Sequence, residues 1–289
     1  MNQTHAAAGK AGGAATLVAS ALSNQLGAAS GSLAFPALGP VGVVAVRQLV
    51  AAAVLLPLVR PRLRDLQWHQ WWPILLLAVS FGTMNLGLYA AIQRIGLGLA
   101  VTLEFLGPLA VALISSGRQA GSHRKGNVLC AVAAAGGVVA ITRPEASTDF
   151  AGIALGLMAA CSWAAYILLN RVVGQRIQGI QGTAAATGVS ATLFLPVAAV
   201  VFLSQPVDGF AVICAVGAGI LASVLPYVAD LIALRRVPAS LFGILMSINP
   251  VFAAIIGALV LHQDLAAVQW AGIGLIVAAN AGVLLLGRR

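Results

Sequence analysis

Long apolar runs broken by short polar clusters occupy nearly the whole chain. A helix that crosses a bilayer needs about 20 mostly apolar residues. Ten stretches qualify, at roughly 14–31, 40–59, 71–93, 97–116, 127–142, 151–170, 180–203, 210–233, 239–261 and 267–286. The fifth is the shortest. The connections between them leave no room for a water-soluble domain. The pattern therefore predicts an all-α integral membrane protein with ten transmembrane helices.

Composition removes the alternatives. Of 289 residues, 60% are hydrophobic and 8% charged, and the mean hydropathy is +0.99. A soluble domain is about 25% charged, so this chain cannot cover a water-facing surface. A soluble enzyme and a disordered protein are both excluded. The formal net charge of +9 raises the question of nucleic acid, and the placement of the charges answers it. With the N-terminus inside, the inside segments hold Lys10, Arg60, Arg62, Arg64, Arg118, Arg124, Lys125, Arg171, Arg176, Arg235, Arg236, Arg288 and Arg289. The outside loops hold only Arg94 and Arg143, and Arg47 lies within a span. Excess Lys and Arg mark cytoplasmic loops, so the surplus is an orientation signal with both termini inside. No nucleic-acid partner is expected.

Residues 1–13 precede an apolar run long enough to span, and no soluble domain follows it, so this run is expected to be a retained helix rather than a signal peptide. Cys130, Cys161 and Cys214 all fall inside spans. Three thiols in that setting give no disulfide framework and are expected to be buried and inert.

Ten spans with a break near 143–150 divide into two units of five, 14–142 and 151–289. An odd number of spans per unit forces the second to be inverted. An offset of 142 lays residues 91–113 on 233–255. Ala91, Arg94, Leu99, Leu103, Pro108 and Ala112 then meet Ala233, Arg236, Leu241, Leu245, Pro250 and Ala254. The shared Arg-to-Pro spacing is the specific part, because both residue types are scarce in apolar segments. Inverted repeats with Gly- and Pro-interrupted spans point to a transporter whose site lies near mid-membrane at the repeat interface.

Charged groups in mid-bilayer cost at least about 2.5–3.5 kcal/mol and usually face the bundle interior. Two lie clearly inside, Arg47 and Glu104. Each is seven residues from the outer end of its span, or about 10 Å deep at the helical rise. Asn24 and Asn85 reach the same depth from two further helices, with Gln25 and Tyr89 nearby. These groups are expected to line a central cavity. Glu104 would carry an exchangeable proton or meet a substrate ammonium, and Arg47 would hold a carboxylate through its planar fork. The competing reading is a permanent Arg47–Glu104 ion pair that only fixes packing.

Glu104 lies one turn before Pro108. A proline there removes the donor for the carbonyl four residues back, which is that of Glu104 itself. A kink is expected at that point, with similar breaks at Asn249-Pro250 and Pro226-Tyr227. Trp163 and Tyr166, one turn apart in the sixth span, either stack on substrate or pack. Asp230 near the inner end of the eighth span is either an interfacial partner of Arg235 and Arg236 or a proton relay. Trp68, Trp71 and Trp72 read as an interfacial belt. Gly152-x-x-x-Gly156 and Gly136-Gly137 suit close helix contact within one bundle or between two copies, so monomer and homodimer both stay open.

The segments Gly82-Thr-Met-Asn-Leu-Gly-Leu-Tyr89 and Leu97-Gly-Leu-Ala-Val-Thr-Leu-Glu104-Phe-Leu-Gly-Pro108-Leu-Ala-Val-Ala-Leu-Ile-Ser-Ser116 resemble the threonine/homoserine exporter branch of the drug/metabolite transporter superfamily. Cys161-Ser-Trp163-Ala-Ala-Tyr166 and Phe242-Gly-Ile-Leu-Met-Ser-Ile-Asn249-Pro250 are similar to its second half. The likeness covers almost the whole chain. It implies two EamA-type repeats of five helices, a bacterial inner-membrane location with cytoplasmic termini, and export of small amphipathic metabolites against protons. On that reading the substrate-binding set is Glu104, Arg47, Asn85, Tyr89, Asn24, Trp163, Tyr166, Asn249 and Tyr227. The proton-coupling set is Glu104 and Asp230. Two positions depart from the family pattern. Asn249 stands where that branch usually has Glu before the proline, and Gln263 stands where many EamA domains have Glu. Both remove a carboxylate from the second half.

An intramembrane enzyme needs paired acids, a metal set or a Ser/His pair within the membrane. All four histidines, His5, His69, His123 and His262, lie in termini or loops, and only one acid is clearly deep. No metal or cofactor is expected. No phosphate-binding P-loop motif occurs, so the drive would be an ion gradient. The partners are a small-molecule substrate (an amino acid, by the resemblance), protons and lipid. Another small metabolite or a drug stays open as cargo.

Overall fold

The structure, a computed structural model, describes residues 2–63, 66–117, 129–130, 132–137, 140, 149–177, 180–204, 208–226, 229 and 246–286. The fifth span is therefore described only in part. Tyr227, Asp230, Arg235 and Arg236 lie outside the described residues.

Among the described residues all regular structure is helical. In chain order the elements are α1 (Asn2–Leu33), α2 (Phe35–Val59), α3 (Trp68–Ile95), α4 (Leu97–Glu104), α5 (Leu106–Gly117), α6 (Phe150–Arg176), α7 (Gln181–Ser204), α8 (Gly209–Gly219), α9 (Asn249–Leu261) and α10 (Ala267–Leu286). The helices α2, α3, α6 and α7 are each long and apolar enough to cross a membrane. Large apolar side chains such as Leu203, Ile213 and Leu259 are more than 70% exposed. On a soluble protein such surface would be an aggregation liability, whereas here it suits contact with lipid.

Local chemistry sets the ends and breaks. The predicted 97–116 span is split at Phe105 into α4 and α5, because Pro108 brings no N–H for the Glu104 carbonyl. The Phe105 N–H still reaches the Val101 carbonyl at 3.1 Å. Gly107 lets α5 approach α6 closely, since a Cβ there would strike the Ala160 carbonyl. Gly96 joins α3 to α4 at φ +84°, a backbone region that glycine enters without steric cost. It has no side chain to cap α4, and Gln263 supplies the cap from across the bundle: its Oε1 accepts the Leu97 N–H at 2.8 Å. The α8 helix runs into a π turn at Ile220–Val224. A turn at 247–248 precedes α9, which carries Pro250 in its first turn. A proline is tolerated there because its missing donor has no intrahelical partner to lose.

The most extensive helix pair is α3 with α6. Gly152 packs on Arg94 and Ile95, and Gly156 on Leu103, so this Gly-x-x-x-Gly serves packing within the bundle. Gly137 packs likewise on Gly272 and Ile276. The expectation of buried thiols holds for Cys130 and Cys214; Cys161 instead points outward and is exposed. At the α3–α6 junction, Asp149 caps α6 by accepting the Gly152 N–H at 2.8 Å, and Arg94 Nε donates to its carboxylate at 3.0 Å. These bonds favour the ionised form and hold the Asp149 carboxyl below its ordinary range.

Candidate functional site

The broken helices surround a cavity of about 460 Å³, within the usual range for a small-molecule site. It is lined from the middle of the helices toward the end that carries Arg60, Trp68 and Arg176, reaching Leu55 on α2, Phe81 on α3, Ile167 on α6 and Asn280 on α10. The opposite end is closed by tightly packed Ala34, Tyr89, Ile92, Leu97, Ala253 and Ile256.

Six of the residues singled out in the sequence line this cavity: Asn24, Arg47, Asn85, Glu104, Trp163 and Tyr166. Tyr89 and Asn249 are not among the lining residues. Tyr89 is fully buried, with its hydroxyl unpartnered and its ring edge-on to Phe35. Asn249 accepts a hydrogen bond from Gln25 Nε2 at 2.8 Å and donates to the Met246 carbonyl at 2.9 Å.

Arg47 is held from two sides. Its Nε donates to Ser223 Oγ at 2.9 Å and its Nη2 to the Ala222 carbonyl at 2.8 Å. The guanidinium lies 5.4 Å from the centre of the Tyr89 ring, a distance at which the ring face attracts a cation. Ser223 and Ala222 belong to the π turn, whose Leu221 carbonyl accepts Ser23 Oγ of α1 at 2.8 Å. The irregular turn thus exposes carbonyls that neighbouring helices satisfy, one of them through Arg47.

Glu104 is 6% exposed and accepts no hydrogen bond among the described residues. The ion pair found among those residues is Arg94–Asp149. No Arg47–Glu104 salt bridge is found among the described residues: the arginine is hydrogen-bonded to Ser223 and the Ala222 carbonyl, while its charge still acts on Glu104 across the cavity. The two charges share one cavity without direct contact, which leaves each able to meet a ligand group of opposite sign.

The aromatic wall has a defined geometry. Trp163 meets Phe105 edge to face, with centroids 4.7 Å apart, and Tyr166 meets Phe81 at 5.0 Å. These contacts join α6 to the residue at the α4–α5 break and to α3, and both aromatic residues also line the cavity. Gln48, Thr187, Ser223, Ser247 and Asn280 line it as well. Thr187, Ser223, Ser247 and Asn280 were missed because attention to one depth selects against polar residues deeper in their spans. The signal for Gln48 was present, since it follows Arg47 directly within an apolar span. Among the described residues no group of three or more His, Cys, Asp or Glu is arranged to hold a metal.

Comparison with known proteins adds family context. Residues 150–285 match the EamA-like transporter family. The chain is 35% identical over 274 residues to the threonine/homoserine exporter RhtA of Escherichia coli (strain K12), covering 94% of this chain and 91% of that protein. It is 35% identical over 266 residues to the protein of the same name in Salmonella typhimurium (strain LT2), covering 92% of this chain and 88% of that one. A solved crystal structure aligns at a TM-score of 0.61 with 17% identity, over 95% of this chain and 98% of the other, a likeness of fold.

Proposed function

Because the chain belongs to the EamA-type drug/metabolite transporter superfamily and is homologous to its threonine/homoserine exporter branch, we propose that it exports small neutral amino acids in exchange for protons. The family is one of transporters, and the chain is not an enzyme. In this reading it lies in a bacterial inner membrane with both termini in the cytoplasm. Its two five-helix units, 14–142 and 151–289, are oppositely oriented. The offset of 142 that relates the two prolines also carries Phe105, at the first helix break, onto Ser247, at the second, and this supports the repeat.

The observation that carries the proposal is the pairing of one free acid and one oriented base in a single cavity. A zwitterion needs a group of each sign. Arg47 takes the carboxylate with the part of its guanidinium that Ser223 and Ala222 leave unused. Glu104 takes the ammonium. A buried carboxylate with neither a proton nor a cation beside it is costly, so proton and substrate compete for one group and exchange follows. Trp163 and Tyr166 give the carbon skeleton an apolar wall. The cavity is lined toward one end of the bundle, and buried apolar residues pack the other, an arrangement that suits one state of an alternating-access cycle. In the proposed topology this is the cytoplasm-facing state.

The test is efflux from proteoliposomes with a panel of amino acids, with and without a pH gradient. Threonine and homoserine should leave fastest, and the gradient should accelerate them. Failure with every neutral amino acid would reject the substrate class and favour another small metabolite. Efflux indifferent to the gradient and to uncouplers would reject proton exchange.

A further inference from the structure

Five buried side-chain polar atoms among the described residues lack a hydrogen-bond partner: Gln25 Oε1, Gln48 Nε2, Asn85 Oδ1, the Tyr89 hydroxyl and Ser190 Oγ. Only two of the five residues, Gln48 and Asn85, line the cavity. Both are more than nine-tenths buried, at 5% and 4% exposure. They sit on different helices, α2 and α3. A buried polar atom without a partner is costly and rare in a native protein, so two of them on the wall of one cavity call for a ligand that completes them.

The chemistry of the pair is specific. Asn85 Nδ2 donates one of its two N–H groups to the Phe81 carbonyl at 2.8 Å. That bond fixes which end of the amide is which, because a carbonyl needs a donor, and it leaves Oδ1 as a lone acceptor. Gln48 retains an unused donor in Nε2. One acceptor and one donor are the complement of a hydroxyl, which donates once and accepts as well. Two other polar residues on the wall make local bonds. Thr187 donates to the Thr183 carbonyl and Asn280 to the Ile276 carbonyl, each at 3.0 Å. Arg47 and Gln48 both line the cavity, so a substrate whose carboxylate lies on Arg47 has its side chain in the cavity that Gln48 also lines.

We propose that Gln48 and Asn85 form a subsite for the side-chain hydroxyl of the transported amino acid, and so set a preference for hydroxylated over purely aliphatic cargo. This rests on the amino-acid reading of the cavity. The expected selectivity is asymmetric in the usual way. A site built to hydrogen-bond a hydroxyl rejects the analogue that lacks it, since the site's own polar groups then stay unpaired, whereas an apolar pocket discriminates only weakly.

The test compares threonine with valine, which has nearly the same shape with a methyl in place of the hydroxyl. Efflux of each is measured in proteoliposomes for the wild type, Gln48→Met and Asn85→Leu, with melting temperature as the check on folding. The wild type should favour threonine by about tenfold or more in kcat/KM. In either folded variant the ratio should drop to within about threefold, through loss of threonine transport and not of valine transport. Equal handling of the two amino acids by the wild type would overturn the subsite while leaving the transport reading intact, and this outcome needs no variant to fold. An undiminished ratio in a folded variant would overturn it as well. If neither amino acid crosses, both proposals fall together.

Discussion

The two proline-bearing segments beside the cavity, at Pro108 and Pro250, share a local backbone feature and differ in chemistry. In the first, Phe105 interrupts the helix three residues before Pro108, and the acid beside the break, Glu104, lines the cavity and accepts no hydrogen bond among the described residues. In the second, a turn at 247–248 lies at the corresponding distance before Pro250. Its neighbouring polar residue is Asn249, a neutral amide tied to Gln25 and the Met246 carbonyl. Pro108 accounts for the break beside Glu104, while the neighbouring polar side chain in each segment decides whether that point is ionisable or merely structural. Of these two positions, the first carries an ionisable group and the second does not.

The sharpest way to break that comparison is to move the acid. Glu104→Gln should lower proton-driven efflux on the order of a hundredfold, the worth of a mid-membrane charge of about 2.5–3.5 kcal/mol. Adding Asn249→Glu to it should not restore efflux, because position 249 faces Gln25 and not the cavity. Recovery of efflux in the double variant would show that the two breaks are interchangeable.

A smaller effect is expected at the base. Arg47→Lys keeps the charge but loses the fork that bonds Ser223 and Ala222 while presenting the rest of the guanidinium. The KM for amino acids should rise about tenfold, roughly the value of one charge-assisted hydrogen bond, with kcat much less changed. An unchanged KM would remove Arg47 from the binding site.

Asn249→Ala tests the structural side of the comparison. It strips Gln25 of its partner and should cost about 1–3 kcal/mol of stability, read as a lower melting temperature in detergent. Transport by the protein that remains folded should stay near the wild-type rate.

The smallest effect lies outside the membrane, at the α3–α6 junction. The folded state lowers the Asp149 pKa. Its stabilisation is therefore present above the ordinary carboxylate value of about 3.9 and is lost as pH falls through the lowered folded value. Asp149→Asn should melt slightly below the wild type at neutral pH. The gap should close as the solution is acidified below about pH 4. A gap that persists in acid would mean the carboxylate charge is not what matters there.

Much of this architecture was legible in the chain. The apolar runs predicted α2, α3, α6 and α7 within a few residues, and Pro108 predicted the break beside Glu104. Equal depth along four helices brought Asn24, Arg47, Asn85 and Glu104 together, since helical rise converts sequence distance into depth. Other features were not legible, for physical reasons. Depth does not say which way a side chain turns around its helix, so Tyr89 and Asn249 were grouped with the cavity although they pack outside its lining. The π turn at Ile220–Val224 has no composition of its own, and without it nothing in the sequence links Ser223 to Arg47. Gln263 marks a position where a carboxylate is missing by family pattern, but its capping of α4 across the bundle depends on tertiary contact alone.

The central claim is that proton and substrate compete for Glu104. Its most direct test is proton movement driven by an outward threonine gradient in proteoliposomes carrying a pH-sensitive dye, compared between the wild type and folded Glu104→Gln protein. Threonine leaving the wild type should drive protons the opposite way, and the variant should move none above an empty-vesicle background. Equal proton movement in the two proteins would contradict the account.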